Sequence, residues 1–257
     1  MEKTEKLKII KVGELLKDTF SDYGQSWQKF AYLLVIPLLI SFVMNLVSYL
    51  FVSFGQDLNL WATLILGLLA FIFFIAFFVF YIFVYIAQFL LIKDLSAEVN
   101  FSNLKEWLKR AKPYFWRIVA ISIVYALVAV FGMILFLIPG IFFMVAYAFT
   151  VYAGVVEDLN FENSFGYSRK LVKGYWWAVF GRFVVGLLLL YLFVGLISLL
   201  FMPLNYLFSL FLSASAAAGL SSLLYNLVSI FIGLLLGPLS IIYSYKIYTS
   251  LKGVKGL

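Results

Sequence analysis

Residues 139–177 read PGIFFMVAYAFTVYAGVVEDLNFENSFGYSRKLVKGYWW, and they hold every kind of segment the chain uses. Pro139 and Gly140 predict a tight turn after one apolar run. Ile141 to Val156 is the next run, with no charge inside it, and Glu157 and Asp158 mark its return to water. From Asn160 to Gly174, Phe161, Phe165, Leu171 and Val172 separate from Glu162, Arg169, Lys170 and Lys173, which is the pattern of a helix lying in a membrane interface. Tyr175, Trp176 and Trp177 follow, rings with a polar edge that favour the headgroup level, and a new apolar run starts behind them.

Composition agrees with that reading. The chain has 257 residues, 65% hydrophobic and 12% charged, with a mean hydropathy of +1.07. That is too apolar for a soluble domain of this size, so the expectation is a polytopic, all-α integral membrane protein forming one membrane domain over residues 1–257. Histidine and cysteine are both absent. The usual zinc ligands, thiol nucleophiles and general bases are therefore missing, and a non-enzymatic protein without a metal or cofactor is predicted. The net charge of +7 comes from Lys and Arg in short segments between apolar runs, where membrane orientation is the simpler account, and no nucleic-acid partner is expected. The first apolar run begins only at Phe30, behind a segment of both charge signs, unlike a cleavable signal peptide.

Outward from the central stretch, the plan repeats. Val12, Leu16, Thr19 or Phe20, Tyr23, Trp27 and Phe30 recur at helical spacing opposite Lys11, Glu14, Lys17, Asp18 and Asp22, predicting a surface helix that leads into a crossing over 30–54, with Pro37 inside it. After a turn at 55–59, the run 60–92 is 33 residues long, roughly 50 Å against an apolar core of about 30 Å, so it must tilt or protrude. Phe101, Leu104, Leu108 and Ala111 face away from Lys105, Glu106, Lys109, Arg110 and Lys112, predicting a second surface helix ahead of a crossing from Phe115 to Leu137. The fifth crossing runs from Trp177 to about Phe201, residues 202–219 form an uncharged connection, and the sixth, 220–245, carries Gly233-x-x-x-Gly237 before Pro238. Six crossings in three hairpins result, each hairpin behind an interfacial helix, in units 9–92, 100–156 and 160–250.

Leu15, Leu104 and Phe165 each precede a tryptophan (Trp27, Trp116, Trp177) by 12 positions, and 98–103 (EVNFSN) resembles 158–163 (DLNFEN), with asparagines placed to cap the following helices. Any interfacial helix ahead of a crossing produces a similar pattern, so a true repeat and a shared use both remain open. Charge is sharper: six Lys or Arg precede Phe30, six lie between Lys93 and Arg117, four between Arg169 and Arg182 and three from Lys246 onward, together all 19. The alternate loops carry only Asp57. The positive-inside rule predicts cytoplasmic termini and surface helices in a cell (inner) membrane.

No acidic or basic residue sits deep in an apolar run, which argues against a proton-driven pump. Asn45, Gln88, Asn205 and Asn226 are the larger polar groups near the crossings, either lining a pathway or bonding between helices. Asp94, Glu98, Glu157 and Asp158, at the cytoplasmic ends of crossings, read as helix caps or partners of nearby cations. Arg117, Arg169, Lys170, Lys173 and Arg182 are the candidates for holding anionic lipid headgroups.

Pro139-Gly140, an aromatic crossing, Glu157, Phe165, Ser168, Leu171, Gly174 and Trp176-Trp177 come in the order seen in a known family. The segment resembles the six-helix bacterial and archaeal membrane domain named for its fusion to glycerophosphodiester phosphodiesterases. In those enzymes a separate, histidine-dependent barrel does the chemistry; this chain has no histidine, so the resemblance implies the membrane module alone. The expected role is interaction with membrane lipids in membrane or envelope upkeep. A transporter component for a hydrophobic or neutral solute is the second reading, and a membrane subunit or immunity-type protein docking a protein partner at the cytoplasmic face is the third.

Overall fold

The computed structural model describes residues 9–54, 59–94, 104–135, 137–211 and 214–257. These residues are helical throughout apart from short connections, with no strand among them. The helices are α1 (Val12–Phe54), α2 (Leu60–Asp94), α3 (Leu104–Ala111), α4 (Phe115–Leu135), α5 (Leu137–Ala146), α6 (Thr150–Val155), α7 (Phe161–Val172), α8 (Trp176–Phe211) and α9 (Ala214–Lys255). Six helical stretches are long and apolar enough to cross a membrane: Val12–Asn45, Leu60–Asp94, Lys105–Ile134, Leu137–Val155, Trp176–Pro203 and Leu224–Lys255.

Several boundaries differ from the sequence expectation, each for a physical reason. The first surface helix and first crossing are one helix, α1, continuous through Pro37. Pro139-Gly140 is not the turn: both lie inside α5, where proline in the first helical turn loses no hydrogen bond. Gly140 has a different reason to be glycine. A Cβ there would lie 2.6 Å from the Met133 nitrogen and 2.8 Å from the Gly132 carbonyl carbon, so α4 and α5 touch backbone to backbone. The run 202–219 is mostly helix: α8 continues through Pro203 to Phe211 and α9 begins at Ala214. The turn residues 55–58, with Asp57, the 98–103 stretch with Glu98, and Phe101 lie outside the described residues.

The chain divides into two compact units. One comprises residues 29–81 and 188–237, and of all the Lys and Arg it contains only Lys29. Its α1 segment buries Phe30, Leu33 and Leu34, while Leu64, Phe71, Phe74, Leu188, Tyr191 and Leu200 are exposed. Apolar side chains pointing outward along whole helices are stable only where the surroundings are hydrocarbon. In the Gly233-x-x-x-Gly237 pair, a Cβ added at Gly233 would meet Leu38 Cδ2 at 3.7 Å, and one added at Gly237 would meet nothing within 4 Å.

The other unit comprises 1–28, 82–187 and 238–257. It resolves the overlong second run: α2 has 35 residues, and its last part buries Val84, Ile86 to Ile92 and Asp94 while Leu60 to Ile75 is largely exposed. Phe149, Tyr152, Tyr245 and Tyr248 form an aromatic centre with Phe89, their ring centroids 4.8–6.2 Å apart, and the Tyr152 hydroxyl donates to the Ile241 carbonyl at 2.8 Å.

In α1 the buried positions are Leu15, Thr19 and Ser26, not the larger apolar residues: Phe20 is 61% and Trp27 50% exposed. The Thr19 and Ser26 hydroxyls donate to their own helix, to Leu15 O at 2.7 Å and Asp22 O at 2.6 Å, which lets small polar groups serve as the packing face. In α3, Trp107 and Ala111 are buried and Lys105, Glu106, Lys109 and Arg110 exposed.

A candidate anion cleft at the α7–α8 turn

The fourth apolar run is not one helix. It breaks after Ala146, turns through Tyr147, Ala148 and Phe149, and resumes as α6. A break strands backbone groups, and these are met by one side chain from α7. Ser168, fully buried, donates to Ala146 O at 2.9 Å and accepts from the Phe149 amide at 3.2 Å. Four residues earlier, one helical turn away, Ser164 is also fully buried and donates to Asn160 O at 2.7 Å. Asn160 caps α7, its side chain accepting from the Asn163 amide at 3.0 Å, as the sequence predicts. Thus the two serines and Leu171 and Val172 turn inward, and the opposite side of α7 carries Glu162, Arg169 and Lys170.

The α6–α7 connection is tied down by charge. Glu157 accepts from the Tyr248 hydroxyl at 2.7 Å and the Lys252 ammonium at 2.6 Å. Burial alone would push its carboxyl up, but these two bonds and the charges of Lys252 and Lys93 more than offset that and hold it below its ordinary pKa. Asp158, in the left-handed region at φ 55, accepts from Arg117 at 2.7 Å, and Arg117 also donates to Gly154 O at 3.0 Å. Arg110 pairs with Asp94 at 2.6 Å, by charge rather than by an aligned hydrogen bond. Arg182 is spent on the chain's beginning, donating to the Ile10 carbonyl through Nε at 3.1 Å and to Ala178 O at 2.7 Å.

Two of the five headgroup candidates, Arg117 and Arg182, are therefore committed to internal contacts. The other three converge. Arg169, Lys170 and Lys173 line an open cleft of about 480 Å³ together with Gly166, Gly174, Phe142, Ala146, Val172 and Trp176. None of the three cationic side chains makes an ion pair with an acidic residue among the described residues. The aromatic wall is fixed: the Trp176 indole donates to Phe142 O at 3.2 Å and stacks with Phe142 and with Phe180, centroids at 5.8 and 5.1 Å and planes within 16°. Trp177 points away, 77% exposed.

Gly174, at φ +86, makes the turn between α7 and α8. A helix C-terminus repels anions, which would count against this location. Lys255, on the last turn of α9, removes the objection by donating to both Lys170 O and Lys173 O at 2.6 Å, and its ammonium lies 5.7 Å from the Tyr175 ring centroid. Lys255, Phe142 and Gly166 are the participants sequence reasoning missed. Phe142 comes from the fourth run and Lys255 from 85 and 82 positions beyond the carbonyls it meets, separations that local pattern does not mark.

Of the polar residues near the crossings, Asn45 is exposed and donates to Ser41 O of its own helix at 2.8 Å, and Gln88 is buried. Asn226 is half-buried in α9, and Asn205 lies within α8. Among the described residues no cluster of acidic side chains is suited to a metal ion.

The comparisons with known proteins assign no activity. Residues 109–251, more than half of the chain, match a family described as Domain of unknown function (DUF7847), and the chain belongs to that family. No curated protein and no solved structure matches it.

Proposed function

We propose that this member of the DUF7847 family is a non-catalytic, multi-pass protein of the cell membrane that binds anionic lipid of the cytoplasmic leaflet in the α7–α8 cleft, in a membrane or envelope maintenance role. The observation that carries the reading is the convergence beside a rigid aromatic wall of three cations that make no ion pair among the described residues, while Arg110, Arg117, Lys246 and Lys252 are paired with carboxylates. Unneutralised charge on a concave site needs an anion, and an apolar wall beside it needs an amphiphile.

Orientation follows from charge. With every Lys and Arg on one set of segments and only Asp57 on the other, both termini and the cleft face the cytoplasm. The three faces of α1 support an interfacial helix: Leu15, Thr19 and Ser26 toward protein, Phe20 and Trp27 outward to lipid, Glu14 and Lys17 to water. The tryptophans that follow the three interfacial segments, Trp27, Trp116 and Trp177, are 50%, 78% and 77% exposed, which suits the headgroup layer better than water. The likeness to the membrane module of glycerophosphodiester phosphodiesterases fits such a role and brings no catalysis with it.

The test is mass spectrometry of lipids co-purified with the wild type and with an Arg169→Gln/Lys170→Gln/Lys173→Gln variant, each compared with bulk membrane. Enrichment of anionic lipid that the variant loses is expected. A bulk-like composition in both proteins would overturn the reading.

A further inference from the structure

We infer that the cleft selects lipids ending in a phosphate monoester over anionic phosphodiester lipids and zwitterionic lipids; this rests on the lipid-binding reading above. Charge number is the first argument. A phosphodiester carries one negative charge and would leave two of the three cations unmatched, whereas a terminal phosphate carries about −1.5 to −2 and offers three acceptor oxygens. Arg169 supplies a planar fork able to take two oxygens, and Lys170 and Lys173 supply point charges for the rest.

The second argument is what the cleft lacks. No carboxylate lines it among the described residues, so the ammonium of a zwitterionic headgroup finds no counter-charge there. An aromatic ring face is the usual alternative receptor for a quaternary ammonium, but the Trp176 ring is already stacked with Phe142 and Phe180. Hydroxyl-rich headgroups fare no better. No hydroxyl, amide or carboxylate side chain lines the cleft, and the Trp176 N–H is spent on Phe142 O. A compact, highly charged headgroup is the one that suits these walls, with its glyceryl and first acyl carbons against the exposed Phe142 ring.

The experiment reconstitutes the full chain in nanodiscs of a neutral phosphocholine lipid containing equal minor fractions of dioleoyl phosphatidic acid and dioleoyl phosphatidylglycerol, and reads retained lipid by native mass spectrometry. Wild type should retain the phosphatidic acid at least about tenfold over the phosphatidylglycerol, equivalent to about 1.4 kcal/mol. Arg169→Lys, which keeps the charge but loses the fork, should reduce that preference, and the triple glutamine variant should retain neither lipid selectively. Millimolar inorganic phosphate should leave the bound lipid in place. Equal retention of both anionic lipids by wild type, lost in the triple variant, would overturn the monoester selectivity while leaving lipid binding intact. Bulk-like retention by wild type would overturn both. Displacement by inorganic phosphate would reassign the cleft to a soluble anion.

Discussion

Replacing Ser168 with alanine removes both hydrogen bonds that close the helix break, leaving the Phe149 amide and the Ala146 carbonyl buried without partners. Each buried, unmet polar group costs about 1–3 kcal/mol. Side-chain hydrogen bonds between membrane helices average only about 0.6 kcal/mol, because their unfolded reference finds other partners. That lower figure does not transfer here: two main-chain groups lose their partner together, inside a serine pocket that is fully buried. The expected loss is about 2–4 kcal/mol. It is measured by reversible unfolding in mixed micelles, with Ser122→Ala as control, since Ser122 is exposed on α4 and should change stability by no more than about 0.5 kcal/mol. If Ser168→Ala matched the Ser122→Ala control, Ser168 would not be what completes the break, and the placement of α7 against α5 and α6 would be wrong.

Glu157 should give the fold a pH dependence. Its folded pKa is depressed, so its stabilisation is present above the unfolded carboxyl value of about 4.3 and lost as pH falls through the folded value. The stability gap between wild type and Glu157→Gln should be full at neutral pH and close in acid; a gap independent of pH would refute it. Gly140→Ala and Gly174→Ala should differ in kind. The first drives a methyl into the α4 backbone at 2.6 Å and should cost about 1–3 kcal/mol, more if the helices cannot separate. The second meets nothing within 4 Å and should cost only about 1–2 kcal/mol for the left-handed backbone, with α4–α5 packing unchanged by cysteine crosslinking. Equal packing changes in both would contradict the contact geometry.

Hydropathy made the six crossings legible because length and apolarity alone define them. Faces were harder. In α1 the periodicity of Val12, Leu16, Thr19 or Phe20, Tyr23 and Trp27 was visible, but it did not say which side packs: Leu15, Thr19 and Ser26 are buried while Phe20 and Trp27 are exposed. Local chemistry read well where it is local: Asn160 caps its helix through a bond three residues away. Ser168 was visible as a family-like position, yet its role depends on a break whose residues, Tyr147 to Phe149, look like uninterrupted crossing. The cations were legible as a set. Their division into Arg117 and Arg182, consumed by Asp158 and Ile10, and a free trio was not, because partners 41 and 172 positions away leave no mark in local pattern.

Photocrosslinking in native membranes tests the central claim most directly. A phospholipid with an anionic headgroup and a diazirine near the glyceryl end is incorporated, activated and mapped by peptide sequencing. Adducts should concentrate on Phe142 and Trp176 and disappear in the Arg169→Gln/Lys170→Gln/Lys173→Gln variant. Adducts spread along exposed α2 and α8, unchanged by the variant, would contradict a lipid site in the cleft.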